Sequence, residues 1–301
     1  MSQRRSRREF LGEAAAAAIA LGIPPQLLAC TAAEEKGAGS EDSGAAATGT
    51  DKLARIGLQL YTVRTLMQKN VEDTLRQVAG IGYQELEFAG YFNRQPSALK
   101  QTLDSLGVTA PSSHVGLNDL EGDRLPRTLD AASTLGHHYL VVAWMPPEAR
   151  KTLDDWKRIS ERFNKAGEAV KARGMQFAYH NHDFEFVRID DKVPLDVMLE
   201  ATDPSLVQME LDLYWIAKGG ADWRAYFTRW PGRFKMVHVK DSAGPPQHEM
   251  RDVGAGSLPF AQIFAQRGTA GIEHFFVEHD EPADPIASIT ASFNHLRQLT
   301  F

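Results

Sequence analysis

The sequence is short of cysteine, of basic charge and of phosphate-binding motifs, and each shortage excludes a structural feature or a class of protein. Its 301 residues include a single cysteine, Cys30, so the chain cannot form an internal disulfide. Lys and Arg number 33 against 39 Asp and Glu, and a net charge of −6 argues against a protein that binds a nucleic-acid backbone. No Gly-rich phosphate loop follows the first apolar run. What remains is a chain, 43% hydrophobic, that can bury a large core in one big α/β domain or two smaller ones.

Long apolar runs are also missing, including at the N-terminus. The apolar run 14–23 is too short for a comfortable membrane span. Before it, residues 6–11 (SRREFL) resemble a twin-arginine export signal, and after it residues 27–30 (LLAC) resemble a bacterial lipobox. This pattern predicts that residues 1–29 are a signal peptide and that Cys30 is lipidated. The alternative is an uncleaved amphipathic anchor.

The pattern therefore predicts an exported bacterial lipoprotein, periplasmic or on the cell surface, held to the membrane through Cys30. Residues 30–52 are rich in Ala, Gly, Ser, Thr and Glu and show no apolar period. Such a composition is typical of a flexible tether. The folded domain is predicted to occupy residues 53–301.

From residue 55 onward, apolar strand-like runs alternate with helical patterns. Predicted strands lie at 56–63, 83–89, 108–115, 139–144, 177–179, 207–215, 234–241 and 273–279. Predicted helices lie at 71–79, 97–106, 124–135, 153–173, 195–201, 223–230, 258–266 and 286–299. Eight strand–helix units in about 250 residues predict an α/β fold, the (β/α)8 TIM barrel, in preference to an open doubly wound sheet.

Glycines recur at the predicted helix ends, just before the next strand, as expected of helix C-caps. They are Gly80, Gly82, Gly107, Gly136, Gly174, Gly232 and Gly271.

Polar residues gather late in the predicted strands, where a (β/α)8 barrel carries its reactive groups. They are Gln59, Tyr61, Glu87, His114, Asp212, His238, Lys240 and Glu278. The fifth strand runs directly into His180, Asn181 and His182. Residues two apart on a strand share a face, so His180 and His182 are expected to point the same way. Such a pair suggests a metal site or an acid/base pair.

Four of these side chains have the chemistry to bind one divalent ion: His180, Asp212, His238 and Glu278. They follow one another at about one β/α unit each, which would bring them together at the barrel mouth. Mixed imidazole and carboxylate ligands suit Mn, Zn, Co or Fe(II) rather than Ca. Taken singly, Asp212 could be a helix cap and Glu278 a solvated loop charge, but four such residues at equivalent strand ends favour a metal site.

At this point the chain resembles the xylose isomerase-like TIM-barrel superfamily, the sugar phosphate isomerase/epimerase group. The motifs are GLQLYTVR (57–64), GIGYQELEF (80–88), HNHDFEF (180–186), ELDLYW (210–215), VHVKD (237–241), VGAGSLPF (253–260) and FVEHD (276–280). By motif, Asp212, His238 and Glu278 match the family's metal ligands. His180 stands where most members have Glu, which leaves two carboxylates to balance the ion. Glu185 or His182 could fill in as a ligand.

The resemblance implies proton abstraction next to a carbonyl of a sugar. An ion polarises the carbonyl while a nearby base removes the carbon-bound proton. His182 is the first candidate base because an ordinary imidazole has a near-neutral pKa. Glu87 and Glu185 are rivals, and Lys240 could steady an oxyanion or a phosphate.

Several residues are candidate substrate contacts, although aromatics near a barrel mouth are as often core. They are Gln59, Tyr61, His114, Trp144 and Trp215.

The predicted function is a metal-dependent isomerase, epimerase or lyase that acts on an unphosphorylated or keto-sugar, or a glycoside, outside the cytoplasm. One alternative is a sugar-binding lipoprotein without catalysis. Another is an endonuclease that cuts at abasic DNA sites, because the superfamily also contains such enzymes. The acidic charge, the lipid anchor and a single metal site argue against the endonuclease, and no nucleic-acid partner is expected.

Overall fold

The computed structural model describes residues 49–301. The predicted signal peptide, Cys30 and most of the predicted tether lie outside these residues. Within them, no helix has both the length and the apolar character to cross a membrane.

Eight parallel strands close into a barrel in the order β1-β10-β7-β6-β5-β4-β3-β2. The barrel strands are β1 (Gly57–Gln59), β2 (Glu85–Phe88), β3 (Thr109–Val115), β4 (Tyr139–Val142), β5 (Gln176–His180), β6 (Val207–Asp212), β7 (Phe234–Val239) and β10 (His274–Val277). β8 (Asp241–Ser242) and β9 (Met250–Arg251) form a small antiparallel ribbon after β7. The predicted (β/α)8 barrel is confirmed.

The helices alternate with the barrel strands, as expected. They are α1 (Arg64–Lys69), α2 (Val71–Ile81), α3 (Pro96–Leu106), α4 (Leu125–Leu135), α5 (Leu153–Lys171), α6 (Pro194–Ala201), α7 (Leu213–Lys218), α8 (Trp223–Arg229), α9 (Phe260–Ala265), α10 (Arg267–Ala270) and α11 (Pro285–Leu296). The sequence patterns missed α1, α7 and α10, which are one to two turns long and too short to show an apolar period.

Two predicted strands were too long because a polar side chain ends each one early. The Gln59 side chain accepts a hydrogen bond from the Tyr61 backbone N–H at 3.0 Å, and a 3-10 helix starts there. Asp212 likewise caps α7 by accepting from the N–H groups of Tyr214 and Trp215, both at 2.9 Å. The apolar pattern alone predicts that each strand continues. A side chain that accepts hydrogen bonds from the first free N–H groups starts a helix there instead.

Most of the predicted helix-ending glycines have the left-handed backbone that such a cap needs. Gly271, after α10, has φ +87° and a Cβ there would lie 2.8 Å from the Gly232 backbone. Gly80 is the exception, because it lies inside α2.

The barrel interior is apolar in its middle and polar above. Five buried side chains pack together there: Tyr139, Val141, Ala178, Met236 and Phe276. This layer lies beneath the mouth of the barrel, which the C-terminal ends of the strands form.

Candidate metal and catalytic site

Three predicted ligands, Asp212, His238 and Glu278, meet at the mouth of the barrel. One ligand atom from each lies within 4.8 Å of the other two. Glu278 Oε2 is 2.7 Å from His238 Nδ1, and Asp212 Oδ2 is 3.8 Å from the same nitrogen. Asp212 is fully buried, and its other oxygen caps α7, which fixes the carboxylate in place. The end of β6 therefore both starts a helix and presents an oxygen to the mouth.

His180 is buried at the end of β5 and belongs to a neighbouring group. Its Nδ1 is 3.2 Å from Glu210 Oε2, and its Nε2 is 3.8 Å from Asp212 Oδ2. His114, Glu210 and His238 complete a second set whose ligand atoms lie within 4.8 Å of one another. His180 thus lies between the two sets.

Glu210 is the functional candidate that sequence reasoning missed. It is fully buried, and its Oε2 is 2.8 Å from His114 Nε2 and 3.1 Å from His238 Nε2. The signal was present, because Glu210 stands two residues before Asp212 on β6 and so shares its face. Glu210 restores a carboxylate beside His180.

Glu87 lies beneath His238 and orients it. The Glu87 carboxylate accepts hydrogen bonds from Gln59 Nε2 at 2.7 Å and from the Ser112 hydroxyl at 2.5 Å. His238 Nε2 is 2.6 Å from Glu87 Oε2. Although burial alone would raise the pKa of Glu87, His114 and His238 hold it well below its usual range. Carboxylates in this position fix the tautomer of an imidazole and leave its other nitrogen free for a ligand.

Lys240 is an ammonium enclosed by carboxylates. Its Nζ is 3.0 Å from Asp212 Oδ2, 2.8 Å from Glu278 Oε2 and 2.9 Å from Asp280 Oδ1. Although burial opposes its charge, these acids raise the pKa of Lys240 well above its usual range. Asp280, which the sequence reasoning also missed, completes the enclosure.

His182 lies beyond the end of β5, and its ring centre is 5.0 Å from that of His180. Burial, with Lys240 nearby, lowers the pKa of His182 to about 3. The expected near-neutral pKa is therefore wrong: His182 is a neutral imidazole at pH 7 and a weaker base than an ordinary histidine.

Glu185 points away from the mouth. Its carboxylate accepts hydrogen bonds from the Tyr179 hydroxyl at 2.5 Å and from the His182 backbone N–H at 2.8 Å. Burial raises the pKa of Glu185 to about 8 despite these two bonds. Its predicted roles as base or substitute ligand do not match this position, because its two oxygens hold the segment that carries His182.

A cavity of about 510 Å³ opens above these groups. His180, His182, Lys240 and Glu278 line its floor, and Tyr61, His114 and Trp144 form part of its walls. Tyr61 and Trp144 are 42% and 55% exposed.

Besides Glu185, two predicted substrate contacts and a second predicted base do not line this cavity. Gln59 is buried and bonds to Glu87, so it supports the site from below, as Glu87 itself does. The Trp215 ring lies beside that of His182 at a tilted angle, with ring centres 5.3 Å apart. The sequence placed Gln59 and Glu87 correctly at the ends of their strands without showing how deep they lie, whereas Trp215 lies in α7 rather than at the end of a strand.

The donor set fits a divalent cation. Within the two ligand sets, four buried polar atoms have no hydrogen-bond partner among the described residues: His180 Nδ1, His238 Nδ1, Asp212 Oδ2 and Glu210 Oε1. Glu278 approaches His238 Nδ1, and Lys240 approaches Asp212 Oδ2, without hydrogen-bond geometry. Buried polar atoms without hydrogen-bond partners are costly in free energy, and a bound cation would satisfy them. Mixed imidazole and carboxylate ligands are those that Zn, Mn and Fe(II) use.

Fold and site together define a class, the (β/α)8 barrels with an acidic, histidine-rich mouth suited to a divalent ion. Residues 75–299 match the model of one family within it, the xylose isomerase-like TIM barrels. The chain belongs to that family, as its motifs predicted.

The chain is also similar to several named proteins. A sugar phosphate isomerase/epimerase from Parabacteroides distasonis is 30% identical, with a TM-score of 0.70 over 81% of this chain and 98% of that one. An inosose dehydratase of Geobacillus kaustophilus is 25% identical over 191 residues, 56% of this chain. The matched region spans only 61% of that dehydratase. The 3-keto-D-glucoside 4-epimerase of E. coli, 17% identical with a TM-score of 0.63 over 81% of this chain and 99% of that one, shares the fold.

Proposed function

We propose that this protein is a metal-dependent enzyme that removes a proton next to a carbonyl of an unphosphorylated keto-sugar. The outcome would be isomerisation, epimerisation or loss of water. The observation that carries the proposal is the convergence of His180, Asp212, His238 and Glu278 beneath an open cavity that His182 and Lys240 also line.

In this proposal Asp212, His238 and Glu278 hold the ion, with His180 as the fourth ligand. When bound, a divalent ion supplies Lewis acidity, which makes a hydrogen next to a carbonyl easier to remove. Glu87 and Glu210 keep the Nε2 side of His238 engaged, so that its Nδ1 faces the ligand set.

The remaining chemistry falls to two side chains of the cavity floor. His182 is neutral and lines the cavity, so it can accept a proton, although its lowered pKa reduces the driving force. Lys240 is charged and can donate a hydrogen bond to an oxygen that gains negative charge. Tyr61 and Trp144 offer flat faces for a sugar ring.

The charges of the cavity support a substrate without phosphate. Lys240 is the one Lys or Arg among its lining residues, and three acids surround that ammonium. A phosphate would need free cationic donors there. The same acidity disfavours an abasic-site endonuclease, because DNA binding relies on Lys and Arg that neutralise phosphates.

The similarity to inosose dehydratases supports loss of water as one outcome, beside isomerisation and epimerisation. The proposal also includes export, since residues 6–11 and 27–30 carry the two signal patterns. A sugar-binding lipoprotein without catalysis is the remaining alternative.

Two measurements test the proposal. Purified protein should contain about one transition metal per chain and should catalyse deuterium exchange from solvent into a keto-sugar. The variant His182→Ala should lose the exchange and keep the metal. A protein that binds sugars but exchanges no hydrogen across a broad panel of keto-sugars would be the binding protein instead.

A further inference from the structure

A second cavity, of about 700 Å³, opens beside the first. The two cavities share four lining residues, Tyr61, His114, Ala143 and Trp144. The second one continues past the ends of β2 and β3 to the α4 helix. A ligand could therefore extend from the floor of the first cavity into the second without crossing a wall.

The two cavities differ in chemistry. The floor of the first consists of imidazoles, an ammonium and carboxylates. Much of the second is made of small or apolar groups, among them Ala89, Val115 and Ala131. Its carboxylate and its guanidinium belong to Asp119 and Arg127. Asp119 is already engaged, because it accepts a hydrogen bond from the Gly116 N–H at 3.2 Å and pairs with Arg124 at 3.4 Å.

The junction between the cavities carries exposed aromatic rings. Three large hydrophobic residues of the described chain are strongly exposed, and two of them, Tyr61 and Trp144, stand here. The Arg64 guanidinium lies 3.9 Å from the centre of the Tyr61 ring, which holds that ring in place. Exposed apolar area concentrated at a cavity rim is typical of a ligand-binding site.

We infer that the substrate is a glycoside whose sugar ring lies in the first cavity and whose apolar aglycone lies in the second. This inference rests on the proposed function. A free monosaccharide would use only the polar cavity and leave the apolar one in contact with water. A second sugar ring would place hydroxyl groups against Ala89, Val115 and Ala131, which offer no side-chain hydrogen-bond partner, and the hydroxyls of Ser113 and Thr128 could satisfy only some of them. An aromatic aglycone matches both its apolar walls and the two rings at the junction.

The test compares the binding of phenyl and methyl β-D-glucopyranoside by calorimetry, with the α-anomers measured in the same way. The two ligands share the sugar and differ in the apolar group. The variant Ala131→Trp fills the second cavity from α4, away from the first cavity. Its control is Ser133→Trp, which places the same side chain at an exposed position of the same helix.

The wild type should bind one phenyl glucoside at least about tenfold more tightly than its methyl counterpart, because the ring leaves water. Ala131→Trp should abolish that preference without weakening methyl glucoside, whereas Ser133→Trp should keep it. Equal affinities in the wild type, no detectable phenyl glucoside binding, or a preference that survives Ala131→Trp would each overturn the inference.

These outcomes are independent of the exchange assay. A protein that prefers phenyl glucoside through the second cavity but exchanges no hydrogen with any keto-sugar would support the inference and refute the proposed function. Exchange with keto-sugars, combined with equal affinities for the two glucosides, would support the proposed function and refute the inference.

Discussion

At the scale of single residues, the surroundings give three buried carboxyl groups different proton affinities. Burial raises the pKa of Glu185 to about 8 and that of Asp212 to about 6. Burial also disfavours the charge of Glu278, but Lys240 and His238 outweigh it and hold its pKa well below the usual range. Contact with the ammonium of Lys240 and with the His238 imidazole is therefore what keeps Glu278 ionised.

Glu185 makes a pH-dependent contribution to stability. Its folded-state pKa of about 8 exceeds the ordinary 4.5, so the folded protein retains a proton that the unfolded chain releases. The contribution is fully present below about pH 4.5 and is lost as the pH rises to about 8. Since one pKa unit corresponds to about 1.4 kcal/mol, the loss has an upper limit of roughly 5 kcal/mol.

The variant Glu185→Gln should not show this pH-dependent loss of stability. Its amide can accept from the His182 N–H and donate to the Tyr179 oxygen, so both contacts persist. Urea unfolding between pH 5 and pH 8.5 should show the free energy of unfolding of the wild type falling relative to that of the variant. Parallel profiles would mean that Glu185 is ionised in the folded protein throughout.

At the scale of elements, one carboxylate organises the segment between β7 and α9. Asp241 accepts hydrogen bonds from four backbone N–H groups at 2.8 to 3.2 Å. They belong to Ser242, Gly254, Gly256 and Leu258. Gly256 must come very close, since a Cβ there would lie 2.3 Å from Asp241 Oδ1. This explains the two motifs VHVKD and VGAGSLPF as two sides of one contact.

Asp241→Ala should lower the free energy of unfolding by about 3 kcal/mol, because four backbone groups lose a charged acceptor. Chemical denaturation measures the change. Asp222→Ala is the control: Asp222 is an exposed cap of α8 that accepts one bond from the Arg224 N–H, and its loss should cost about 1 kcal/mol. Equal losses in the two variants would contradict the role given to Asp241.

At the scale of the whole molecule, the proposed ion links strands from one half of the barrel. Asp212, His238 and Glu278 come from the ends of β6, β7 and β10, which are neighbours in the closed sheet. An ion bound only by the folded chain must stabilise that chain.

Zn or Mn at one hundred times its dissociation constant should raise the free energy of unfolding by about 2.7 kcal/mol, and a chelator should reverse the gain. Thermal unfolding with and without the ion measures the effect. Asp212→Asn keeps an acceptor for the α7 cap and loses the charged ligand, so its stability should not respond to metal. A response equal to that of the wild type would place the ion elsewhere.

The export proposal concerns the whole molecule as well. Replacing Arg7 and Arg8 by Lys should leave the precursor in the cytoplasm, which fractionation and immunoblotting would reveal. Cys30→Ser is the matched variant and should be exported but released from the membrane. Normal export of the double Lys variant would refute the twin-arginine interpretation.

The sequence by itself determined the barrel, its strand order and the end of the barrel at which the polar groups lie. Alternating strand and helix patterns decide the topology, because parallel strands need a helix between them and all end at the same rim. His180, Asp212, His238 and Glu278 could therefore be predicted as neighbours without coordinates.

Only the tertiary structure decided which groups touch and which face the cavity. A register shift between β6 and β7 near Glu210 sets Asp212 opposite His238 and leaves Glu210 between three imidazoles. The same packing places Lys240 among acids and turns Glu185 towards Tyr179. A strand pattern states the face on which a side chain lies, whereas its partners depend on strand register and on the depth of the surrounding core, which no single strand encodes.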